Sequence, residues 1–135
     1  MNTKTNLKTK IKLTQINSDL NFAYIAANAA EEKKGDNILL LDVSKLTVIS
    51  DYFLIVSAKS SAQIEAIAKH IEELLSKSNC RLVSKEGLTT SNWTVLDFGN
   101  LVVHIMNENE RNYYKLEKFW SNASAVENKV WRKAS

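Results

Sequence analysis

Reactive side chains are few in this sequence, and their spacing favours binding over catalysis. Cys80 and His104 could form a thiolate–imidazole pair, but we predict His104 in the middle of one strand and Cys80 before a different one. His104 and Asp97 supply only two possible metal ligands, whereas zinc sites normally use three or four. The triplet Asp97-Phe98-Gly99 has neither the Gly-rich loop nor the catalytic loop of a kinase around it. The sequence therefore predicts no enzyme, metal or cofactor.

The dipeptide Gly99-Asn100 makes its surroundings the most informative segment. Gly followed by Asn is typical of a two-residue type II′ hairpin turn, which fixes how the flanking strands pair. Asp97 then faces Val102, and Trp93 faces Met106. Because side chains alternate along a strand, one face of the hairpin collects six residues: Trp93, Val95, Asp97, Val102, His104 and Met106. A Trp, an Asp and a His on this face predict an outward-facing surface that contacts a partner.

His104 has a second interpretation. A single His in a strand is often a half-buried ring that forms a hydrogen bond with a neighbour, and Asp97 lies one diagonal step away in the predicted register. This structural role and an interface role do not exclude each other.

A helix is predicted to follow the hairpin. Glu110, Tyr114 and Glu117 are spaced by four and three residues, so they share a face beside Arg111. The opposite stripe contains Tyr113, Leu116 and Trp120. One interpretation is a solvated face held by Arg–Glu pairs, and the other is an acidic, aromatic contact strip next to Trp93. Tyr, Trp and Arg favour the contact strip because they are enriched among binding hot spots.

Charge is unevenly distributed along the chain. The 135 residues carry a net charge of +3, of which residues 1–18 supply +4 and residues 121–135 supply +2, which leaves −3 for residues 19–120. A mildly acidic body argues against DNA or RNA as the main ligand and favours a basic protein partner. No apolar run is long enough to span a membrane, and the single cysteine is typical of a reducing compartment.

Hydrophobic periodicity predicts an α/β or α+β fold. A helix capped at Ser18 or Asp19 should precede two buried strands, and a second helix should begin at the capping box Ser60-x-x-Gln63. A short strand over 81–84, the hairpin and the last helix complete a mixed sheet of about five strands flanked by helices. We expect three regions: a flexible basic extension (1–18), one domain (19–121) and a basic tail (122–135).

Several ordered motifs across residues 20–121 resemble one known family. They are Ser50-Asp51-Tyr52-Phe53-Leu54-Ile55-Val56, Ser60, Glu86-Gly87, Trp93-x-x-Leu96-Asp97-x-Gly99, Val102-Val103-His104 and Arg111-x-x-Tyr114-x-Leu116-Glu117-x-x-Trp120. This pattern is similar to that of the Iojap-like ribosomal silencing factor family. Two positions depart from it: Ala58-Lys59 stands where members often have Gly-Asn, and Asn100 replaces the more usual Asp.

The resemblance implies a fold related to nucleotidyltransferases but without their catalytic carboxylates. It implies a translation repressor that binds the large ribosomal subunit at its basic protein numbered fourteen and blocks joining of the small subunit under nutrient limitation. It further implies a homodimer when free and a location in the bacterial cytoplasm or, alternatively, the chloroplast stroma. The partner-binding positions carried over from the family are Trp93, Asp97, His104, Arg111, Tyr114 and Glu117.

Two rival hypotheses are kept. The first is a nucleotidyltransferase relic that binds a nucleotide near Ser60 and Ser61, at the start of the second helix. The second makes the aromatic strip only a seam between two copies of the chain.

Overall fold

A mixed six-stranded sheet forms the centre of the protein, as a computed structural model shows for residues 3–88 and 92–133, with side chains described for 18–88 and 92–132. The strands are β1 (Asp36–Asp42), β2 (Tyr52–Ala58), β3 (Ser84–Leu88), β4 (Trp93–Asp97), β5 (Leu101–Asn107) and β6 (Ser124–Val126). The helices of the described residues are α1 (Thr3–Glu32), α2 (Ser61–Lys77), α3 (Glu108–Tyr114), α4 (Leu116–Phe119) and α5 (Asn128–Lys133).

The sheet has the strand order β3-β4-β5-β2-β1-β6. β2 and β5 are parallel, and every other neighbouring pair is antiparallel. The predicted fold class, a mixed sheet flanked by helices, is confirmed, with one strand more than expected.

The hairpin register predicted from Gly99-Asn100 is also confirmed. Trp93 pairs with Met106 and Asp97 with Val102. Gly99 has a φ of 89°, the left-handed backbone that this turn requires at its first position. The hairpin therefore places Trp93 and His104 on the same face of the sheet, as the alternation of side chains demands.

Helices α1 and α2 cover the other face. The apolar stripe of α2 is buried there against the sheet: Ile64, Ile67, Ala68, Ile71 and Leu75. The hydroxyl of Ser60 accepts a hydrogen bond from the backbone N–H of Gln63 at 3.1 Å, and the Gln63 side chain accepts one from the N–H of Lys59. The predicted cap by Ser60 is confirmed, whereas the Gln63 side chain accepts from Lys59, one residue before the cap, rather than from Ser60 itself.

The start of the first helix was predicted wrongly. α1 begins at Thr3 and runs through the expected cap at Ser18 and Asp19. The Asp19 carboxylate instead accepts a hydrogen bond from the side-chain amide of Asn100 at 3.0 Å, which ties α1 to the hairpin turn. A boundary of the folded domain at residue 18 stays a prediction.

The third strand also differs from its expected position. We expected residues 81–84, whereas β3 spans Ser84–Leu88 and includes Gly87. Its pairing with β4 outweighs the low strand propensity of a Lys-Glu-Gly sequence.

Ala58 stands where family members often have Gly, which tolerates a positive φ. The φ of Ala58 is not positive, so the side chain causes no backbone strain there.

The C-terminal segment, which was predicted as a basic tail, contributes one strand and one helix, and the end of the domain at residue 121 stays a prediction. β6 pairs antiparallel with β1, and α5 carries Trp131, whose side chain is 0% exposed in the helix-covered core. The side-chain amide of Asn28 in α1 donates to the Trp131 carbonyl at 2.8 Å. β6 has only three residues, which is too short for a hydrophobic period to predict a strand. The basic charge was therefore the only feature of this segment that the sequence made visible.

The predicted last helix is two helices. Lys115 has a left-handed backbone (φ 52°), which ends α3 and changes the helical phase before α4. Leu116 and Trp120 consequently face the sheet, whereas Tyr113, expected on the same stripe, is exposed.

No helix in the described part of the chain has both the length and the apolar character needed to cross a membrane.

Truncating Trp131 tests the role of the C-terminal segment in the core. We expect Trp131→Ala to lower the free energy of unfolding by about 3–5 kcal/mol, the usual cost of removing a fully buried aromatic side chain. Its exposed neighbour supplies a matched control, Val130→Ala, for which we expect a change within about 0.5 kcal/mol. Urea unfolding of both variants measures the difference, and equal stabilities would contradict the placement of Trp131.

Candidate functional site

The sheet face opposite α1 and α2 is only partly covered. The short helices α3 and α4 lie over it, and its buried residues form a second apolar cluster: Leu41, Val43, Ile55, Trp93 and Met106. Leu116 and Trp120 pack onto this cluster from the α4 segment. This face carries the residues singled out in the hairpin and is the candidate functional site.

A continuous chain of seven contacting rings crosses this face, and we call it the aromatic arc. In order along the arc, the rings belong to Tyr113, Tyr114, Trp93, His104, Phe53, Trp120 and Phe119. Neighbouring ring centroids are separated by 4.9–5.9 Å, within the range of favourable aromatic pairs. The arc therefore joins β2, the β4–β5 hairpin and the α3–α4 segment into one surface.

Both ends of the arc are open to solvent. The side chains of Tyr113 and Phe119 are 80% and 79% exposed, and that of Tyr114 is 44% exposed. Large rings this accessible have little packing role in the chain itself, so the ends of the arc are the part of this face available to a partner.

Trp93 does not project outward, which corrects the sequence-based interpretation. Its side chain is only 8% exposed and belongs to the second apolar cluster. Its ring nevertheless lies 4.9 Å from that of Tyr114, so the expected proximity to the last helical segment holds. Trp93 is therefore a buried residue that supports the partly exposed ring of Tyr114.

His104 is a half-buried ring with a hydrogen-bonded neighbour, as its structural interpretation proposed. The partner is Trp93 rather than Asp97: the indole N–H donates to Nδ1 of His104 at 3.1 Å. An indole can only donate, so Nδ1 carries no proton in this contact. Burial lowers the pKa of His104 to about 4, which agrees with a neutral ring.

Arg111 lies inside the protein rather than on the expected contact strip. It is 7% exposed, and its guanidinium donates to the Ser57 hydroxyl at 2.9 Å and to the Asn37 carbonyl. Its Nε donates to Glu117 Oε1 at 3.2 Å, so the α3 side chain also holds the α4 segment. The Arg–Glu pair of the solvated-face interpretation is present, but it is anchored in the sheet.

Asp97 is not brought to the arc. It lies four positions along β4 from Trp93, a distance of about 13 Å along a strand. Its carboxylate accepts a hydrogen bond from the Gly99 N–H at 2.7 Å and stabilises the hairpin turn. Of the six predicted residues, Trp93, His104 and Tyr114 share the arc, Arg111 and Glu117 pair beside it, and Asp97 lies apart.

Phe53 and Trp120 belong to the site although the sequence did not predict them there. Their rings meet at 4.9 Å with an interplanar angle of 88° in the middle of the arc. Phe53 lies in a run of apolar residues that gave no indication of which face it takes. Pairing of β2 with β5, which aligns Phe53 with Val102, decides the face, and that pairing is not visible locally.

The other chemical hypotheses find no support in the geometry. Cys80 is buried in the helix-covered core, on the opposite side of the sheet from His104, and burial raises the pKa of its thiol. Among the side chains that the structure describes, no group of three or more His, Cys, Asp or Glu residues could hold a metal ion.

Comparison with known proteins decides the family. The family model described as "Ribosomal silencing factor during starvation" (RsfS) matches residues 17–135. The chain belongs to the RsfS family. It is 37% identical over 99 residues to the ribosomal silencing factor RsfS of Bacillus subtilis (strain 168), covering 73% of this chain and 84% of that protein. It is also 39% identical to the chloroplastic protein Iojap of Zea mays over 108 residues, covering 80% of this chain and 47% of that protein.

Solved structures agree with this membership. A crystal structure of a Chromobacterium violaceum protein matches with a TM-score of 0.71 and 32% identity, covering 74% of this chain and 83% of that one. A crystal structure of a Bacillus halodurans protein matches with a TM-score of 0.66 and 32% identity, covering 76% of this chain and 93% of that one. The RsfS membership supports a ribosome-silencing role in the regulation of translation.

The neutral, half-buried ring of His104 predicts a specific pH dependence of stability. The folded ring stays neutral down to about pH 4, whereas the unfolded chain takes up a proton below about 6.5. Stability is therefore lost as pH falls from about 6.5 towards 4. Between pH 7 and pH 5 we expect the wild type to lose about 2 kcal/mol more than His104→Gln, which keeps an acceptor for the indole N–H. Urea unfolding at both values measures this, and parallel losses would contradict a buried neutral ring.

Proposed function

We propose that this protein binds the large ribosomal subunit through the aromatic arc and sterically blocks joining of the small subunit, thereby repressing translation under nutrient limitation. The observation that carries the proposal is the arc itself, with a buried centre and two exposed ends on the sheet face that α1 and α2 leave open. Membership of the RsfS family directs this surface to the ribosome.

The physical argument for a docking surface is the placement of the rings. The contacts of Trp93 and Phe53 hold Tyr114 and Trp120 in place before any partner arrives. Rigid aromatic side chains lose little conformational entropy on binding and supply much of the energy at interfaces. A stable interface of standard size would bury on the order of 1,200–2,000 Å² in total.

The proposed partner on the subunit is its basic protein numbered fourteen, which the family resemblance implies. Residues 19–120, which hold the arc, carry a charge of −3, and the sum stays negative at −1 when the folded residues 121–133 (+2) are added. This sign supports a basic partner, because opposite charges steer association and disfavour wrong encounters. The function needs no chemistry: a bound domain occupies space that the small subunit requires. We therefore propose a binding protein rather than an enzyme, with no cofactor.

The nucleotide-binding rival has no comparable support. The Ser60 hydroxyl already accepts a hydrogen bond from the Gln63 N–H, and the Gln63 side chain accepts one from the Lys59 N–H, so the start of α2 is capped from within the chain.

For the free protein we propose a homodimer, since exposed apolar rings favour self-association when no partner covers them. The proposed compartment is the bacterial cytoplasm, with the chloroplast stroma as the alternative that the Zea mays relative suggests.

Truncating the exposed rings tests the proposed interface. We expect Tyr114→Ala with Phe119→Ala to weaken co-sedimentation with purified large subunits at least tenfold, because each exposed ring contributes as a hot spot of about 1–2 kcal/mol. The control is Val83→Ala with Val130→Ala, two exposed truncations outside the arc, which should bind like the wild type.

The same variants test the blocking step. Light scattering of subunit joining should show inhibition by the wild type and the control, and its loss in the double ring variant. Tight binding by the ring variant, or joining that proceeds normally in the presence of bound wild type, would refute the proposed function.

A further inference from the structure

The edge of the sheet at β3 is open to another strand. In the described part of the chain β3 pairs with β4 alone, and four of its five residues are exposed. Lysine side chains often guard such edges against strand pairing. Lys85 does not, because its ammonium donates to Glu65 at 3.0 Å and to Glu72 at 3.3 Å on α2 and therefore lies over the sheet. The outer backbone N–H and C=O groups of β3 are thus accessible.

Gly87, in the Glu86-Gly87 motif, is not required by the fold of the chain itself. Its φ is not positive, and a Cβ atom built there would meet no described atom within 4 Å other than its chain neighbours. Neither a turn nor close packing therefore demands glycine, although glycine weakens the interior of a strand. A glycine in such a position often marks a place where another backbone approaches closely.

A cleft of about 760 Å³ lies beside Gly87, between β3, β4 and the first turns of α2. Thr94, the cross-strand neighbour of Gly87, lines this cleft and is only 6% exposed. Its hydroxyl group has no hydrogen-bond partner among the described residues. Because a buried hydroxyl without a partner is unfavourable, the cleft fits a side chain that brings a polar end to Thr94.

A second copy of the chain is a poor occupant of this edge. The antiparallel register that pairs all five residues of β3 with β3 of a second copy places Glu86 opposite the same residue of that copy. Like charges directly opposite each other destabilise a strand pair. A segment with a basic residue at this position replaces the repulsion with an attraction. Leu88 pairs with Trp93, so the edge lies one strand spacing from the aromatic arc, and one docked protein can cover both.

We propose that β3 binds an extended segment of the basic ribosomal protein as an additional strand. A basic residue of the segment lies opposite Glu86, and a large side chain with a polar end lies over Gly87 in the cleft. The segment residue opposite Gly87 stands two strand spacings, about 10 Å, from Thr94, so only a long side chain reaches the hydroxyl. Strand addition to an open sheet edge is a common mode of peptide recognition. This inference rests on the proposed function and adds a second contact to the aromatic arc.

Two variants separate this contact from the stability of the fold. Gly87→Val puts a β-branched side chain into open space, and Thr94→Val breaks no hydrogen bond among the described residues, so neither should lower the free energy of unfolding. We nevertheless expect Gly87→Val to weaken co-sedimentation with purified large subunits about tenfold, a typical effect of losing one anchored side chain, and Thr94→Val severalfold. Ala125→Val, at an exposed position of the opposite edge strand β6, is the control and should bind like the wild type.

Hydrogen exchange tests the strand pairing directly. We expect backbone amides of residues 84–88 to exchange more slowly in the wild type bound to large subunits than in the free protein. Unchanged exchange on binding, or binding of Gly87→Val equal to that of Ala125→Val, would overturn the inference and leave the role of the arc intact. Protection that appears in the free protein and rises with its concentration would assign the edge to a second copy, which also contradicts the inference.

Failure of the proposed function has a different signature. If the wild type does not sediment with large subunits, that function fails. The edge is then tested alone with a pentapeptide of the sequence threonine-lysine-tyrosine-lysine-threonine. Saturable NMR shifts of the β3 amides that disappear in Gly87→Val would support the inference, and unchanged resonances would refute it.

Discussion

A buried guanidinium joins three parts of the chain that are distant in sequence. Arg111 donates to a β1 carbonyl, to the β2 hydroxyl of Ser57 and to Glu117 in the α4 segment. A helix of four residues has no stability of its own, so α4 depends on such tertiary contacts for its position. Because α4 leads into Trp120, the contact of Arg111 with Glu117 also helps to position Phe119 and Trp120, the two rings at one end of the aromatic arc.

The arc combines rigidity with accessibility. Its centre is fixed by the hydrogen bond from Trp93 to His104 and by the edge-to-face contact of Phe53 with Trp120. Its ends remain exposed at Tyr113 and Phe119. Because the exposed rings rest on buried ones, the surface needs little reorganisation when a partner binds. A preorganised surface loses less conformational entropy on binding, which raises the affinity that a small domain can reach.

Local chemistry explains which features could be predicted from the sequence. The turn at Gly99-Asn100 and the cap at Ser60 depend on residues within a few positions, and both were predicted correctly, together with the side chains that share one hairpin face. That this face points outward was predicted wrongly for Trp93 and Met106, which are buried. The burial of Arg111 and the core position of Trp131 depend on contacts 54–103 residues away, so no local pattern revealed them. The left-handed Lys115 shows why the last helix was mispredicted, since a non-glycine residue gives no warning of a break.

The orientation of the protein on the ribosome tests the account most directly. A cryo-electron microscopy map of the protein bound to the large ribosomal subunit would show which sheet face meets the ribosome. The account predicts that α3, α4 and the exposed rings contact a basic ribosomal protein, while the outer surfaces of α1 and α2 remain in solvent. A map in which α1 and α2 form the contact and the aromatic arc faces solvent would contradict it.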